Sequence, residues 1–204
     1  MGNRYLAGLI SGRRPSGRLE GRRPAVPAKN ALSAMVLMAF LAGGAWGQTV
    51  KIESPVMKPG SCMPKRFTAA GKNVSPPLVW SAVPDSAREI ALVFETVDGR
   101  QVHWVAYRIP AGIPGLPEGL PAEEVVANFK KLDGIIQGRT SFSGRGPGYH
   151  GPAPSQGKGQ QFRFTLYAVG ARLGLLPGLD RDSLLYLIKG HIVGKGELIV
   201  TGRK

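Results

Sequence analysis

The chain has 204 residues, enough for one domain with a proper core or for one domain behind a leader. Apolar residues make up 43% and charged residues 20%, which excludes wholesale disorder, and a single cysteine excludes a disulfide framework or a multi-cysteine metal centre. Gly 29 and Pro 17 together are about twice the ordinary share, and without a G-X-Y period they favour loop-rich β architecture over a helical bundle. The formal net charge of +14 is concentrated towards the start of the chain.

Within residues 1–47, Arg4, Arg13, Arg14, Arg18, Arg22, Arg23 and Lys29 face one acid, Glu20. An apolar run from Ala31 to Ala45 follows, and then Trp46-Gly47-Gln48. Basic, apolar and small residues in that order read as a secretory signal with cleavage near Gly47/Gln48, or else as an uncleaved N-terminal anchor. The run falls short of the roughly 20 residues of a membrane span. The expected organisation is a leader at 1–47 and one domain at 48–204, periplasmic or secreted, touching membrane only through an uncleaved leader. Beyond the leader the basic residues are scattered singly, apart from the internal pairs Lys65-Arg66 and Lys130-Lys131 and the terminal Arg203-Lys204. No basic stripe is interleaved with aromatics, so nucleic acid is not an expected partner. Cys62 reads as a buried small hydrophobe or an adventitious thiol.

In chain order, residues 89–97 (EIALVFETV) form a nearly continuous apolar run, which predicts a strand covered on both faces. Asp98-Gly99 is a turn signal, and residues 102–109 (VHWVAYRI) alternate as a second strand. Residues 121–132 (PAEEVVANFKKL) carry acids first and lysines last, which predicts a helix. A long Gly/Pro/Ser stretch runs from Gly138 to Gly159, a length that in a compact domain is functional or disordered. Residues 162–169 (FRFTLYAV) alternate again. Residues 180–189 (DRDSLLYLIK) predict a helix capped by Asp180 or Asp182 and stopped by Gly190, with His191 as a partner of its C-terminal dipole. Residues 196–200 (GELIV) make a short closing strand.

Three stretches share one pattern: Asn73-Val74-Ser75-Pro76-Pro77-Leu78-Val79-Trp80, then Val102-His103-Trp104-Val105, then Gly148-Tyr149-His150-Gly151-Pro152-Ala153-Pro154. In that order and spacing, over roughly residues 50–203, the chain resembles the phosphatidylethanolamine-binding protein family in its bacterial Raf-kinase-inhibitor-like branch. The resemblance implies a mainly β fold, a Greek-key β-sandwich of two antiparallel sheets with two short peripheral helices. It also implies a small pocket for an anion or phospholipid headgroup, with no cofactor and no metal. Carried over by position, the second Asp of the family's pocket turn matches Asp98, the strand histidine matches His103, and the loop matches Gly151, Pro152 and Pro154. Thr96 stands in place of the turn's first Asp, and Gln160-Gln161-Phe162 in place of a His-Arg-Tyr.

On this reading Asp98 orients His103 and raises its pKa, loop amides form an anion nest, and Gln160 donates a neutral hydrogen bond. Other readings stay open. His103 also fits a core histidine bonded to a backbone carbonyl, and Asp98 a turn residue. His150 is a solvent-exposed loop histidine or a substitute for the missing second histidine. Tyr149 lines the pocket mouth or packs on the loop, and Arg139 and Arg145 attract anions or are simply solvated. Asn73, Ser75 and Trp80 read as structural.

The leading functional expectation is an exported small binding protein with an anion or headgroup pocket. The alternative is an interaction module that inhibits an extracytoplasmic protease or another protein partner. An enzyme ranks third: Ser141, Ser143 and Ser155 accompany His103, His150 and Asp98, but there is no G-x-S-x-G elbow. Three histidines with none at i,i+4 argue against a metal site.

Overall fold

The computed structural model describes residues 47–130, 132–153 and 159–202. The leader apart from Gly47 therefore lies outside the described residues, as do Pro154 and Ser155. The strands are β1 (Gln48–Thr49), β2 (Lys51–Glu53), β3 (Leu78–Ser81), β4 (Glu89–Thr96), β5 (Val102–Pro110), β6 (Gly115–Leu116), β7 (Ile136–Gln137), β8 (Gln160–Val169) and β9 (Ile192–Gly202). One helix, α1 (Arg181–Ile188), and a short 3-10 turn at Lys65–Phe67 complete the regular structure among these residues.

Two sheets result, one in the order β1-β9-β8-β4-β5-β7 and one in the order β2-β3-β6. The run β8-β4-β5-β7 places the fourth strand beside the first, which is the Greek-key arrangement. The expected sandwich is present, with one amendment: β1 pairs with β9 in parallel, so the large sheet is not wholly antiparallel.

Alternation explains the layers. On β4, Ile90, Leu92 and Phe94 face the small sheet, where they join Leu78 and Trp80 of β3. Ala91 and Val93 face outward beneath Leu184 and Ile188 of α1. That double cover is why residues 89–96 read as an unbroken apolar run. The helix starts where expected, Asp180 accepting a hydrogen bond from the Ser183 amide at 2.9 Å. Gly99, in the turn after β4, has φ +70°, which suits glycine, and its amide donates to the Thr96 carbonyl at 2.8 Å.

The helix predicted at residues 121–132 does not form, so one peripheral helix stands where two were expected. This segment instead runs alongside β7: Val126 donates to the Ile135 carbonyl, and Gln137 to the Glu124 carbonyl, each at 2.8 Å. The side-chain amide of Gln137 donates to the carbonyls of Pro121 (2.6 Å) and Glu123 (2.8 Å). Asn128 and Lys130 take φ +54° and +49°, which a helix does not allow. The charge pattern was helical, but its backbone groups are satisfied from outside. Cys62 is exposed, which removes the reading as a buried small hydrophobe and leaves the adventitious thiol.

On the outer face of β4 a buried carboxylate ties three elements together. Glu95 Oε1 accepts from Arg163 of β8 at 2.8 Å, and Oε2 from Arg181 of α1 at 2.6 Å. Arg181 also donates to the Gly99 carbonyl at 2.8 Å, so the helix, the turn and two strands share one ionic node. Removing one member of a buried pair strands its partners. Glu95→Ala should lower the unfolding free energy by about 3 kcal/mol, read from the urea midpoint at constant m-value.

Candidate functional site

The site begins with an irregularity in β5. Phe94 of β4 opposes Trp104 and Glu95 opposes Val102, so His103 is the extra residue of a β-bulge. A bulge re-aims a side chain, and here it lets neighbouring residues His103 and Trp104 both face the side of Phe94 and Phe162. His103 is 1% exposed. Its ring lies 5.4 Å from Phe94, 5.3 Å from Phe162 of β8 and 5.0 Å from Phe142 in the Gly-rich loop, centre to centre.

One polar contact holds the ring. Nδ1 lies 2.8 Å from the His150 carbonyl, and the His150 amide donates to the His103 carbonyl at 2.9 Å. A carbonyl only accepts, so Nδ1 carries the proton and the neutral ring keeps its lone pair on Nε2. Nε2 is buried and has no partner among the described residues. Burial in this aromatic surround pushes the pKa of His103 below 6.5, outweighing the opposing effect of the carbonyl contact.

Several expected roles change. Asp98 does not orient His103. Its Oδ1 accepts from Thr96 Oγ1 at 2.6 Å and from the Arg100 amide at 3.1 Å, so it closes its own turn on the surface. These hydrogen bonds, the Thr96 hydroxyl first, hold its carboxyl below the usual value. The expected raised histidine is thus a lowered one, because burial dominates and Asp98 is engaged by Thr96 instead. Gly151 offers no anion-binding amide: its N–H donates to Asn73 Oδ1 at 2.6 Å, and a Cβ there would strike the Phe67 carbonyl. Pro152 has no N–H and its carbonyl accepts from Ala69 at 3.0 Å. The Gly151 amide thus closes the body rather than joining a nest.

Tyr149 is a core residue, not a pocket rim. It stacks on Phe94 with centres 5.7 Å apart, donates to the Phe67 carbonyl at 2.7 Å, and has its phenol pKa raised by burial. His150 is buried rather than solvent-exposed, and its Nε2 meets the Gly146 carbonyl at 3.1 Å. What it contributes to His103 is backbone. Gln160 is half-buried and lines a separate cleft of about 320 Å³ with Thr96, Val97, Asp98, Gly159 and Gln161. Pro154 falls outside the described residues. His191 is exposed, and its amide donates to the Ile188 carbonyl at 2.9 Å, ending α1 through the backbone.

The structural readings of Asn73, Ser75 and Trp80 hold. Ser75 Oγ accepts from the Leu120 amide at 2.9 Å, and Trp80 Nε1 donates to the Ile113 carbonyl at 2.7 Å. Phe142 escaped the sequence reading. An isolated aromatic in a polar, glycine-rich loop was the signal that pointed to it.

The family model for phosphatidylethanolamine-binding protein matches residues 53–203, most of the chain. The chain belongs to the phosphatidylethanolamine-binding protein family. A UPF0098 protein of Methanothermobacter thermautotrophicus is 36% identical over 146 residues, which are 70% of this chain and 91% of the relative. A putative lipoprotein LppC of Mycobacterium tuberculosis is 32% identical over 158 residues, 76% of this chain and 72% of the relative. Among solved structures, the putative family homolog CT736 of Chlamydia trachomatis superposes with TM-score 0.65 at 26% identity, covering 78% of this chain and 99% of that one. Escherichia coli YbcL shares the fold, with TM-score 0.64 at 22% identity over 76% of this chain and 98% of its own.

No metal-holding group of three or more ligating side chains occurs among the described residues. Nor does a described serine hydroxyl hydrogen-bond the ring of His103 or His150. The site offers this family member one buried imidazole with one open nitrogen. In the unfolded chain the same imidazole protonates near 6.5, above its folded value. The unfolded state therefore binds the proton first, and stability is lost as pH falls through 6.5 towards the folded pKa. The unfolding free energy of the ligand-free protein should fall by up to about 1.4 kcal/mol per pH unit in that window, and His103→Gln should flatten this part of the profile.

Proposed function

We propose that this family member is an exported small binding protein, and that it holds the acidic headgroup of its ligand, a phosphate or carboxylate, at His103. The observation that carries the reading is the orphaned Nε2. A buried polar atom without a partner is uncommon in a folded protein, and a ligand is one way to satisfy it. The family match supports the position, since His103 occupies the place of the family's pocket histidine.

The chemistry differs from a permanently cationic cup. A neutral Nε2 accepts a hydrogen bond, and an ionised acid has none to donate. Binding therefore brings one proton: either it stays on the ligand, which donates to Nε2, or it moves onto Nε2, and His103 then donates from both nitrogens. Phe162 and Phe94 exclude water from that hydrogen bond, which strengthens it.

Export is supported by the basic and apolar order of residues 1–47 and by the lipoprotein name of the Mycobacterium tuberculosis relative. No helix among the described residues is long and apolar enough to cross a membrane. Cleavage at Gly47/Gln48 would leave β1, which begins at Gln48, whole. Mass spectrometry of the protein recovered from outside the cytoplasm should find Gln48, or a residue adjacent to it, as the first.

Calorimetric titration with phosphate, acetate and phosphoethanolamine should give saturable binding that His103→Ala removes. For acetate the affinity should strengthen about tenfold per unit of falling pH until His103 is itself protonated in the empty protein. Equal heats from both proteins would remove His103 from the reading.

A further inference from the structure

The three rings around His103 are not equivalent. Phe94 and Phe162 are fully buried on strands β4 and β8. Phe142 is half-buried, on a loop that the described backbone hydrogen bonds pin to the body at Ser141 and again at His150. Between those pins its own backbone contacts are long: its amide to Thr140 Oγ1 at 3.4 Å, and Arg145 N to its carbonyl at 3.3 Å. Gly144, Gly146 and Gly148 follow with φ of +80°, +76° and +102°, backbone that glycine supplies at little steric penalty. An aromatic ring packed against the buried imidazole is thus carried by a loop whose local hydrogen bonds are long.

Phe142 also lines a cleft of about 350 Å³, together with Gln137, Thr140, Gly146 and Pro147. That volume is at the lower end of the roughly 300–1,000 Å³ typical of small-molecule sites. The wall is mostly apolar, and its charged residues, Glu124 and Arg139, are both exposed. Gln137 adds little polarity: its side-chain oxygen already accepts from Trp104 Nε1, and its amide nitrogen donates twice. One residue therefore faces both the imidazole and an apolar cleft.

We propose that His103 and this cleft are two halves of one site for a small amphiphilic acid, whose head meets Nε2 and whose apolar body fills the cleft once the Phe142 ring swings aside. The inference rests on the reading of His103 as the headgroup position, and adds the class of ligand. A bare headgroup must shed water to enter a phenyl cage for a single hydrogen bond. An apolar body contributes the burial that offsets that desolvation. In the empty protein the Phe142 ring takes the place of the ligand's own apolar part.

The test is a calorimetric series of straight-chain carboxylates from acetate to octanoate, with phenylacetate added, on the wild type and on Thr140→Phe, Phe142→Ala and His103→Gln. Melting temperatures of all four proteins are measured to confirm folding. Affinity should rise about threefold to fourfold per methylene until the cleft is full. Thr140→Phe, which fills the cleft, should lose the chain-length gain and keep acetate binding that still depends on His103. Phe142→Ala should favour phenylacetate over acetate by a larger factor than the wild type does, the ligand ring replacing the lost one. A flat series with His103-dependent acetate binding intact overturns the two-part site and leaves the headgroup reading standing. A chain-length gain that survives His103→Gln unchanged also overturns it, since the cleft would then act alone. Absence of binding by every acid sinks the headgroup reading itself, and this inference with it.

Discussion

The site depends on a reciprocal pair of hydrogen bonds between residues 103 and 150. His103 Nδ1 donates to the His150 carbonyl, and the His150 amide donates back to the His103 carbonyl. The pair fixes the imidazole tautomer, anchors the far end of the Gly-rich loop to β5, and aligns a buried nitrogen that nothing else in the described protein uses. Either bond alone would leave the ring or the loop free to turn. Together they turn a bulge in one strand into a defined acceptor. The bulge comes first in the causal order, because without the extra residue the ring would alternate away from Phe94 and Phe162.

Around that acceptor the chain has replaced charge with hydrocarbon. Thr96 stands where the family turn carries its first acid, and its hydroxyl draws Asp98 into the surface turn. Phe162 stands where a phenol is expected and packs edge-on to the imidazole. Phe162, with Phe94 and Phe142, surrounds His103 with hydrocarbon. The depressed histidine pKa is the consequence of that burial.

The strands were legible in the sequence because alternation is set by burial, and the burial is real: Phe162, Phe164, Leu166 and Ala168 all enter the inter-sheet core. The helix at residues 121–132 misled because charge order reports only a preference of an isolated segment. Pairing with β7, just further along the chain, decided the outcome through backbone contacts. The site was half legible. His103 stood out by type and position, whereas the roles assigned to Gly151 and Tyr149 failed for one shared reason. Sequence names the groups able to donate, but not those already donating: the Gly151 amide is committed to Asn73 and the Tyr149 hydroxyl to Phe67. Commitment is a property of the packed state.

That distinction bears on how a scaffold of this family changes its ligand without changing its shape. The loop that closes the site is fastened by structural partners, Asn73, Phe67 and Ala69, none of which touches His103 through a hydrogen bond. Substitution at Phe162 or Phe142 therefore alters what surrounds the imidazole while the fastening persists. A polar ring of neighbours holds the histidine charged and selects anions outright. On the proposed reading, an aromatic ring of neighbours holds it neutral, so one proton must come with the ligand, on it or onto Nε2, together with apolar surface that displaces or matches the rings. The two sheets then serve to keep that one nitrogen dry.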